Sequence, residues 1–115
     1  MSIFTRESRD EVHKAAIDKW GDSLQAIVAI EELSELQKEI CKHFRGADNL
    51  DAIAEEIADV IIVIEQLQVM LNLRKQVEKM LDAKTLRLLG RVGGKYDLTT
   101  AACEPLVSCL EEVKT

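Results

Sequence analysis

The stretch that most constrains the fold is residues 53–73, the most apolar part of the chain, which nevertheless contains four acidic residues. Four acids are too many for a membrane span. Apolar residues recur around almost the whole circumference of the helix predicted over residues 50–73, and such a helix is expected to be buried on most sides. This stretch therefore predicts a central helix of a globular protein.

The rest of the chain is also typical of helices, since it has one proline, five glycines and few other turn formers. No segment alternates apolar and polar residues with the period of a strand. Besides residues 50–73, we predict helices over residues 9–20, 23–44 and 75–89, with a loop at residues 45–49 and a possible short helix at 107–113.

Local signals place the ends of the first two helices. Ser8 followed by Glu11 has the spacing of a capping box, and Gly21 is suited to end the first helix. Asp22 together with Gln25 is then expected to cap the second helix.

Short connections between long helices favour antiparallel neighbours. The predicted fold class is therefore all-α, an antiparallel helix bundle of four to five helices that is completed by oligomerisation. One domain is expected over residues 1–95, followed at 96–115 by a tail or short helix of unknown role. Because the third helix is apolar on more sides than one neighbour can cover, the chain is expected to form a homodimer or homotetramer.

The acidic residues of the second and third helices form two pairs at the same spacing. Glu56 and Asp59 stand three apart in the apolar third helix, and Glu32 and Glu35 stand three apart in the second. Antiparallel packing can bring all four carboxylates together. Desolvation and mutual repulsion would then require a positive partner, and a set of oxygen ligands without sulfur or imidazole selects Mg²⁺, Mn²⁺ or Ca²⁺.

A ferritin-like di-iron site requires glutamate three residues before histidine on its helices. Here His13 is preceded at that spacing by Asp10, and His43 by Ile40. The sequence therefore does not predict such a site.

The overall charge and the cysteines indicate which classes of partner and which cellular compartment are expected. A formal net charge of −6 argues against nucleic acid or an anionic membrane as the main partner, since both need a basic surface. The three cysteines form no Cys-x-x-Cys pair, and the first residues contain no apolar signal-peptide core. A cytoplasmic protein with reduced thiols is expected.

The two acidic motifs and their flanks resemble the MazG-like family of all-helical nucleoside triphosphate pyrophosphohydrolases, which is related to the dimeric dUTPases. The sequence EELSE at residues 31–35 and EIAD at 56–59 correspond to the two halves of the family motif. Similar flanks are KWG at 19–21, FRG at 44–46 and KTLRL at 84–88. The resemblance covers about residues 12–91 and does not extend beyond Arg91.

The resemblance implies cleavage of a (d)NTP to the monophosphate and pyrophosphate, with Mg²⁺, or alternatively Mn²⁺, as the cofactor. It assigns the metal to Glu32, Glu35, Glu56 and Asp59. Glu31 is the candidate for positioning the attacking water or for helping to bind a second ion, although a solvated neighbour of the site is an equally good interpretation.

Seven further residues are candidate substrate ligands. Trp20 is a candidate to stack on the base, and the alternative is that it anchors the first helix. Gln25 is a candidate to bind the edge of the base, and the alternative is that it takes part in the helix cap. Cations can bind phosphate oxygens that a metal does not hold. The candidates for that role are Arg45, Lys84, Arg87, Lys42 and Arg91, of which Arg45 and Lys84 are the preferred pair, and a solvated surface position is the alternative for each.

Two other interpretations of the sequence remain open. In one, the chain is a non-catalytic helical dimerisation or regulatory module whose acids face solvent or pair with Lys and Arg. In the other, it is a metal-binding bundle without turnover. Two measurements distinguish these two interpretations from the enzyme described above: the dependence of the melting temperature on metal, and the release of pyrophosphate.

Overall fold

In the computed structural model, which describes residues 1–93, the regular secondary structure of that part of the chain is all helical, and it contains no strand. Its four helices are α1 (Arg6–Trp20), α2 (Asp22–Phe44), α3 (Leu50–Met70) and α4 (Arg74–Val92). The all-helical prediction is confirmed. The predicted tail at 96–115, with its short helix at 107–113, lies outside the described residues.

The chain divides into two compact units, the first covering residues 1–74 and the second beginning at residue 75. In the first unit, α1, α2 and α3 pack against one another as a bundle. Among the helices of residues 1–93, none has both the length and the apolar character needed to cross a membrane.

Helix α1 begins three residues earlier than the sequence predicted, so the Ser8–Glu11 capping box is wrong. The N-cap is Thr5, whose hydroxyl accepts from the Ser8 backbone N–H at 3.1 Å, while the Ser8 hydroxyl accepts from the Thr5 N–H at 2.8 Å. Ser8 thus closes the box from the N3 position. The additional turn brings Arg6 into the helix, where it contacts α3.

Gly21 ends α1, as predicted, and also serves as the N-cap of α2. Its φ of 88° is one that side chains other than glycine rarely adopt, and its N–H donates to Ile17 O at 2.7 Å. The predicted cap by Asp22 with Gln25 is wrong. Asp22 is already the first helical residue, no side chain caps α2, and Gln25 is buried.

Helix α3 ends at Met70, three residues before the predicted end, because the chain enters a Schellman motif. Asn72 has a φ of 53°, and the Leu73 N–H donates to Gln68 O at 2.9 Å. Asparagine tolerates this left-handed conformation better than most residues. Helix α4 then begins at Arg74 and runs past the predicted end at residue 89.

The contacts between α2 and α3 show that the two helices are antiparallel. At the start of α3, the Asn49 amide donates to Glu39 O at 2.9 Å and to the Glu39 carboxylate at 2.7 Å. Further along α3, Glu56 and Asp59 approach Glu32, which lies earlier in α2. Asn49 therefore helps to fix the register in which acidic residues of the two helices meet.

Helix α1 packs on the C-terminal half of α3 through a buried ion-pair network around Glu65. The Arg9 guanidinium donates to both oxygens of Glu65 at 2.9 Å, and His13 Nε2 lies 2.9 Å from one of them. Arg9 lowers the pKa of Glu65 from 4.5 to about 2, against the opposing effect of burial and with further help from His13 and Arg6. Two parallel bonds to an ionised carboxylate are among the stronger contacts available to a protein.

Asp10 is the second buried acid of this network, and it is also neutralised by arginines. Arg6 donates to one of its oxygens at 2.9 Å, and Arg74 donates to the other at 2.9 Å. Arg74 also contacts Glu7 at 3.3 Å. These bonds tie the start of α1 to the chain that follows α3.

The interior of the described chain contains little fully buried apolar surface. Only Ala29 and Val63 are buried hydrophobic residues among residues 1–93, whereas Asp10, His13, Gln25, Glu65, Gln66 and Gln68 are buried polar ones. Ile57 and Ile61 of α3 remain 44% and 50% exposed. The expectation that α3 is buried on most sides is thus not met within one chain.

We predict that Glu65→Gln lowers the free energy of unfolding by roughly 3 kcal/mol, the equivalent of the lowered pKa at 1.36 kcal/mol per unit. Because the folded-state pKa lies below the unfolded one, this contribution is present above about pH 4.5 and disappears as pH falls toward 2. Chemical denaturation across this pH range measures it. The control is Glu55→Gln, an exposed acid of the same helix, and an equal loss in both variants would contradict the prediction.

Candidate functional site

Three carboxylates from two helices converge in the groove between α2 and α3. Glu32 comes from α2, and Glu56 and Asp59 come from adjacent turns of α3. Each offers one oxygen, and these oxygens all lie within 4.8 Å of one another. We call these three residues the acidic cluster. All three side chains are partly buried, so solvent screens their mutual repulsion less than it does at an open surface.

The electrostatics of the acidic cluster oppose full ionisation. The pKa of Glu32 is raised, first by burial and then by the negative charges of Asp59 and Glu56, with hydrogen bonds to these two carboxyls adding to the effect. Carboxylates at this distance relieve their repulsion by sharing a proton or by binding a cation. A raised pKa in a carboxylate cluster is also a common property of functional sites.

No protein cation compensates the acidic cluster within the described range. Over residues 1–93, every ion pair to a carboxylate involves other acids, and no Lys, Arg or His nitrogen lies within 4.0 Å of these three. One oxygen of Glu56, Oε2, is buried and has no hydrogen-bond partner there. A buried acceptor without a partner costs about 1–3 kcal/mol, and more when it is charged.

The donor set of the acidic cluster suits a hard divalent cation. Carboxylate oxygens are the ligands that Mg²⁺, Mn²⁺ and Ca²⁺ prefer. Ligands at about 2.0–2.6 Å from such an ion stand up to roughly 4–5 Å from one another, and the oxygens of the acidic cluster all lie within 4.8 Å of one another. The three residues could therefore supply three of the oxygen ligands of such an ion.

The structure does not bring the other two predicted acids into the acidic cluster. Glu35 and Glu31 are both exposed. Glu35 nevertheless lies three residues after Glu32 and four after Glu31, so the three are neighbours on the surface of α2. The described geometry thus unites three of the four residues predicted as metal ligands, with the fourth on the adjoining surface.

The residues predicted to contact the base and the phosphates differ in their exposure to solvent. Trp20 is 52% exposed at the end of α1, with the Lys19 ammonium 5.1 Å from its ring centre. Gln25 is buried in α2. Arg45 is exposed just after α2.

The remaining basic candidates are also exposed. Lys84, Arg87 and Arg91 lie on α4, in the second unit. Lys42 pairs with Glu39 at 3.3 Å, which gives it a structural partner near the end of α2.

A second group of possible ligands, Asp10, His13 and Glu65, was missed by the sequence analysis. Their oxygens and nitrogen also lie within 4.8 Å of one another, but arginines already neutralise both acids. A further cation there would meet the positive charges of Arg6, Arg9 and Arg74. One sequence feature could have indicated this group, namely Glu65, an acid within an apolar helix. Its partners in α1 could not be identified from the sequence, because they are more than 50 positions away.

We predict that the metal-free protein becomes more stable as pH is lowered from 7 toward 4.5, and that Glu32→Gln removes this gain. The raised pKa of Glu32 means that folding favours its protonated form. At pH 7 the metal-free variant should therefore melt at a higher temperature than the wild type. Thermal melting in the presence of a chelator measures this, and a lower melting temperature of Glu32→Gln at pH 7 would contradict it.

Comparison of the chain with models of protein families, with curated proteins and with solved structures finds no match.

Proposed function

We propose that this protein is a Mg²⁺-dependent nucleoside triphosphate pyrophosphohydrolase that converts a (d)NTP and water to the (d)NMP and pyrophosphate. The observation that carries the proposal is the convergence of Glu32, Glu56 and Asp59 without a compensating protein cation in residues 1–93. The choice of reaction rests on the resemblance of residues 31–35 and 56–59 to the MazG-like motif.

In the proposed enzyme, Glu32, Glu56 and Asp59 hold Mg²⁺, or Mn²⁺ in its place. When bound, such an ion neutralises the charge that develops on the phosphate oxygens and lowers the pKa of a bound water. The three side chains belong to helices whose register Asn49 helps to fix. The ligands are thus held in place before the substrate arrives, which reduces the cost of organising them during the reaction.

Glu35 and Glu31 are proposed to act at the solvent-facing edge of the acidic cluster. Glu35 is the proposed fourth metal ligand, since one turn of α2 separates it from Glu32. Glu31 is proposed to orient the attacking water and to accept its proton as the α–β phosphoanhydride bond breaks. Both side chains are exposed, so water and substrate can reach them directly.

The substrate itself is proposed to be held by residues outside the acidic cluster. Arg45, in the same unit as the acidic cluster, is an exposed cation that can bind phosphate oxygens not held by the metal. Lys84 and Arg87 lie in the second unit, and their proposed role as phosphate ligands rests on the resemblance of the sequence alone. The exposed ring of Trp20 is available for stacking on a base. Gln25 is the weakest of these assignments, because it is buried.

The apolar surface of α2 and α3 supports a homodimer or homotetramer. Each helix has an exposed apolar stripe at helical spacing: Ile30, Leu33, Ile40 and Phe44 on α2, and Leu50, Ile57, Ile61 and Ile64 on α3. Burying one such side chain fully contributes about 1.5–3 kcal/mol. We place this oligomer in the cytoplasm, where its proposed substrates are found.

We predict that the purified protein releases pyrophosphate, and no orthophosphate, from at least one (d)NTP in the presence of Mg²⁺. A screen of standard and modified (d)NTPs that reads both products measures activity, the bond cleaved and the substrate. Glu56→Gln and Asp59→Asn should each lower kcat by at least about 100-fold, because metal stabilisation of the transition state is worth several kcal/mol.

The matched control is Glu55→Gln, since Glu55 is the exposed acid directly before Glu56. It should retain the wild-type rate. Circular dichroism should show that the three variants are folded. Wild-type rates in Glu56→Gln and Asp59→Asn would remove these residues from the site. A metal-induced rise in melting temperature without turnover would identify a metal-binding bundle, and neither effect a non-catalytic module.

We predict that light scattering after size exclusion gives a mass of at least two 12.9-kDa chains, and that Ile61→Glu shifts the protein toward the monomer. Inserting a charge into a buried apolar interface is strongly unfavourable. The control is Ile3→Glu, because Ile3 is highly exposed and precedes α1. A wild-type monomer at micromolar concentration would contradict the proposed oligomer.

A further inference from the structure

The sides of α2 and α3 that face each other follow a seven-residue repeat. In α2, residues that are at least partly buried recur at alternating spacings of four and three: Gln25, Ala29, Glu32, Leu36, Glu39 and His43. From the N-cap of α3 onward, the same two spacings join residues that are also at least partly buried: Asn49, Ala52, Glu56, Asp59 and Val63. Helices with this repeat pack along a narrow seam, as in a coiled coil.

Two contacts across this seam belong to a single antiparallel register. Asn49 bonds to Glu39, and Glu56 approaches Glu32. Glu39 follows Glu32 by seven residues, and Asn49 precedes Glu56 by seven residues. At 1.5 Å per residue, the two contacts lie about 10 Å apart along the seam. Because both helices are continuous over these residues, a shift at one contact also displaces the other.

The acidic cluster by itself disfavours this register when no cation is bound. Like charges at this distance repel one another, and sliding α2 by one helical turn, about 5.4 Å, would separate Glu32 from Glu56 and Asp59. The neighbouring seam residues Ala29 and Ala52 have only methyl side chains, which do not resist such a shift sterically. The register therefore requires a specific contact elsewhere along the seam.

The contact between Asn49 and Glu39 meets that requirement. The Asn49 amide donates at 2.9 Å to the Glu39 backbone oxygen and at 2.7 Å to its carboxylate. The Glu39 side chain is only 14% exposed, and the bond from Asn49 is the main cause that lowers its pKa. A shift of one turn would break both bonds, of which the one to a carboxylate is of the stronger kind. In coiled coils, a single asparagine in the seam is sufficient to specify the register.

We propose that Asn49 is a positioning residue for the metal site, and that through Glu39 it holds α2 and α3 in the register in which the acidic cluster binds one divalent cation. Asn49 lies about 10 Å from Glu56 along the helix axis, so it acts through the two helices and not on the ion. A site that is already assembled binds its ligand more tightly, because binding does not have to supply the cost of ordering it. The inference rests on the metal site of the proposed function and not on the reaction.

The test is the affinity of the full chain for Mn²⁺ alone, measured from the electron paramagnetic resonance signal of the free ion. Asn49→Ala should bind Mn²⁺ at least about tenfold more weakly than the wild type, the equivalent of about 1.4 kcal/mol. The control for general loss of stability is Thr5→Ala, which removes the N-cap of α1. It should lower the melting temperature and leave the affinity for Mn²⁺ within about twofold of the wild type.

An exchange of donor and acceptor tests the contact itself. Asn49→Asp places a second carboxylate against Glu39 and should weaken Mn²⁺ binding further, although an added negative charge by itself attracts a cation. Combining it with Glu39→Gln restores one donor and one acceptor and has the same net charge as the wild type. The double variant should recover most of the affinity. If Asn49→Ala fails to fold by circular dichroism, the double variant decides, and an affinity more than about tenfold below the wild type would then overturn the proposal.

Wild-type affinity in Asn49→Ala, an equal loss in Thr5→Ala, or no recovery in the double variant would also overturn it. These outcomes differ from failure of the proposed function. A wild type that does not bind Mn²⁺ at millimolar concentration would remove the metal site together with the role of Asn49. Weaker binding in Asn49→Ala, with no release of pyrophosphate from any NTP by the wild type, would support the role of Asn49 and remove only the hydrolase assignment.

Discussion

The need to compensate buried negative charge on α3 governs the structure of the first unit. Removing an ionised carboxylate from water costs several kcal/mol unless a partner repays it. At Glu65 the partners are Arg9 and His13, and the resulting contacts hold α1 against α3. At Glu56 and Asp59, two turns earlier, the facing residue is another acid, Glu32. The same helix thus contains one neutralised acidic site and one that is not neutralised by any residue in the range 1–93.

The two acidic sites of α3 affect the stability of the fold in opposite directions. The Glu65 network contributes to folding at neutral pH, since every charge in it is matched. The acidic cluster opposes folding at neutral pH, because burial and like charges raise the pKa of Glu32. A fold that retains such a repulsion gains from anything that binds its native state, and a divalent cation is the simplest such ligand. In the proposed oligomer, a second copy of the chain would cover the exposed apolar stripes of α2 and α3.

The sequence was sufficient to predict the helices and the meeting of acids across α2 and α3, because both follow from local periodicity and a short connecting loop. It did not predict the Glu65 network, since Arg9 and Glu65 are 56 positions apart and no local pattern joins them. Thr5 was overlooked as the N-cap because Ser8 offered the same signal nearer the apolar residues. The exposure of Glu35 depends on the rotation of α2 about its axis, which spacing alone does not determine.

The most direct test of the central claim is a crystal structure of the protein grown with Mn²⁺, with anomalous scattering used to locate the ion. We expect an anomalous peak bounded by carboxylate oxygens of Glu32, Glu56 and Asp59, and none at Asp10, His13 and Glu65. The absence of a peak among the first three residues, or a peak at the arginine-neutralised group instead, would contradict it.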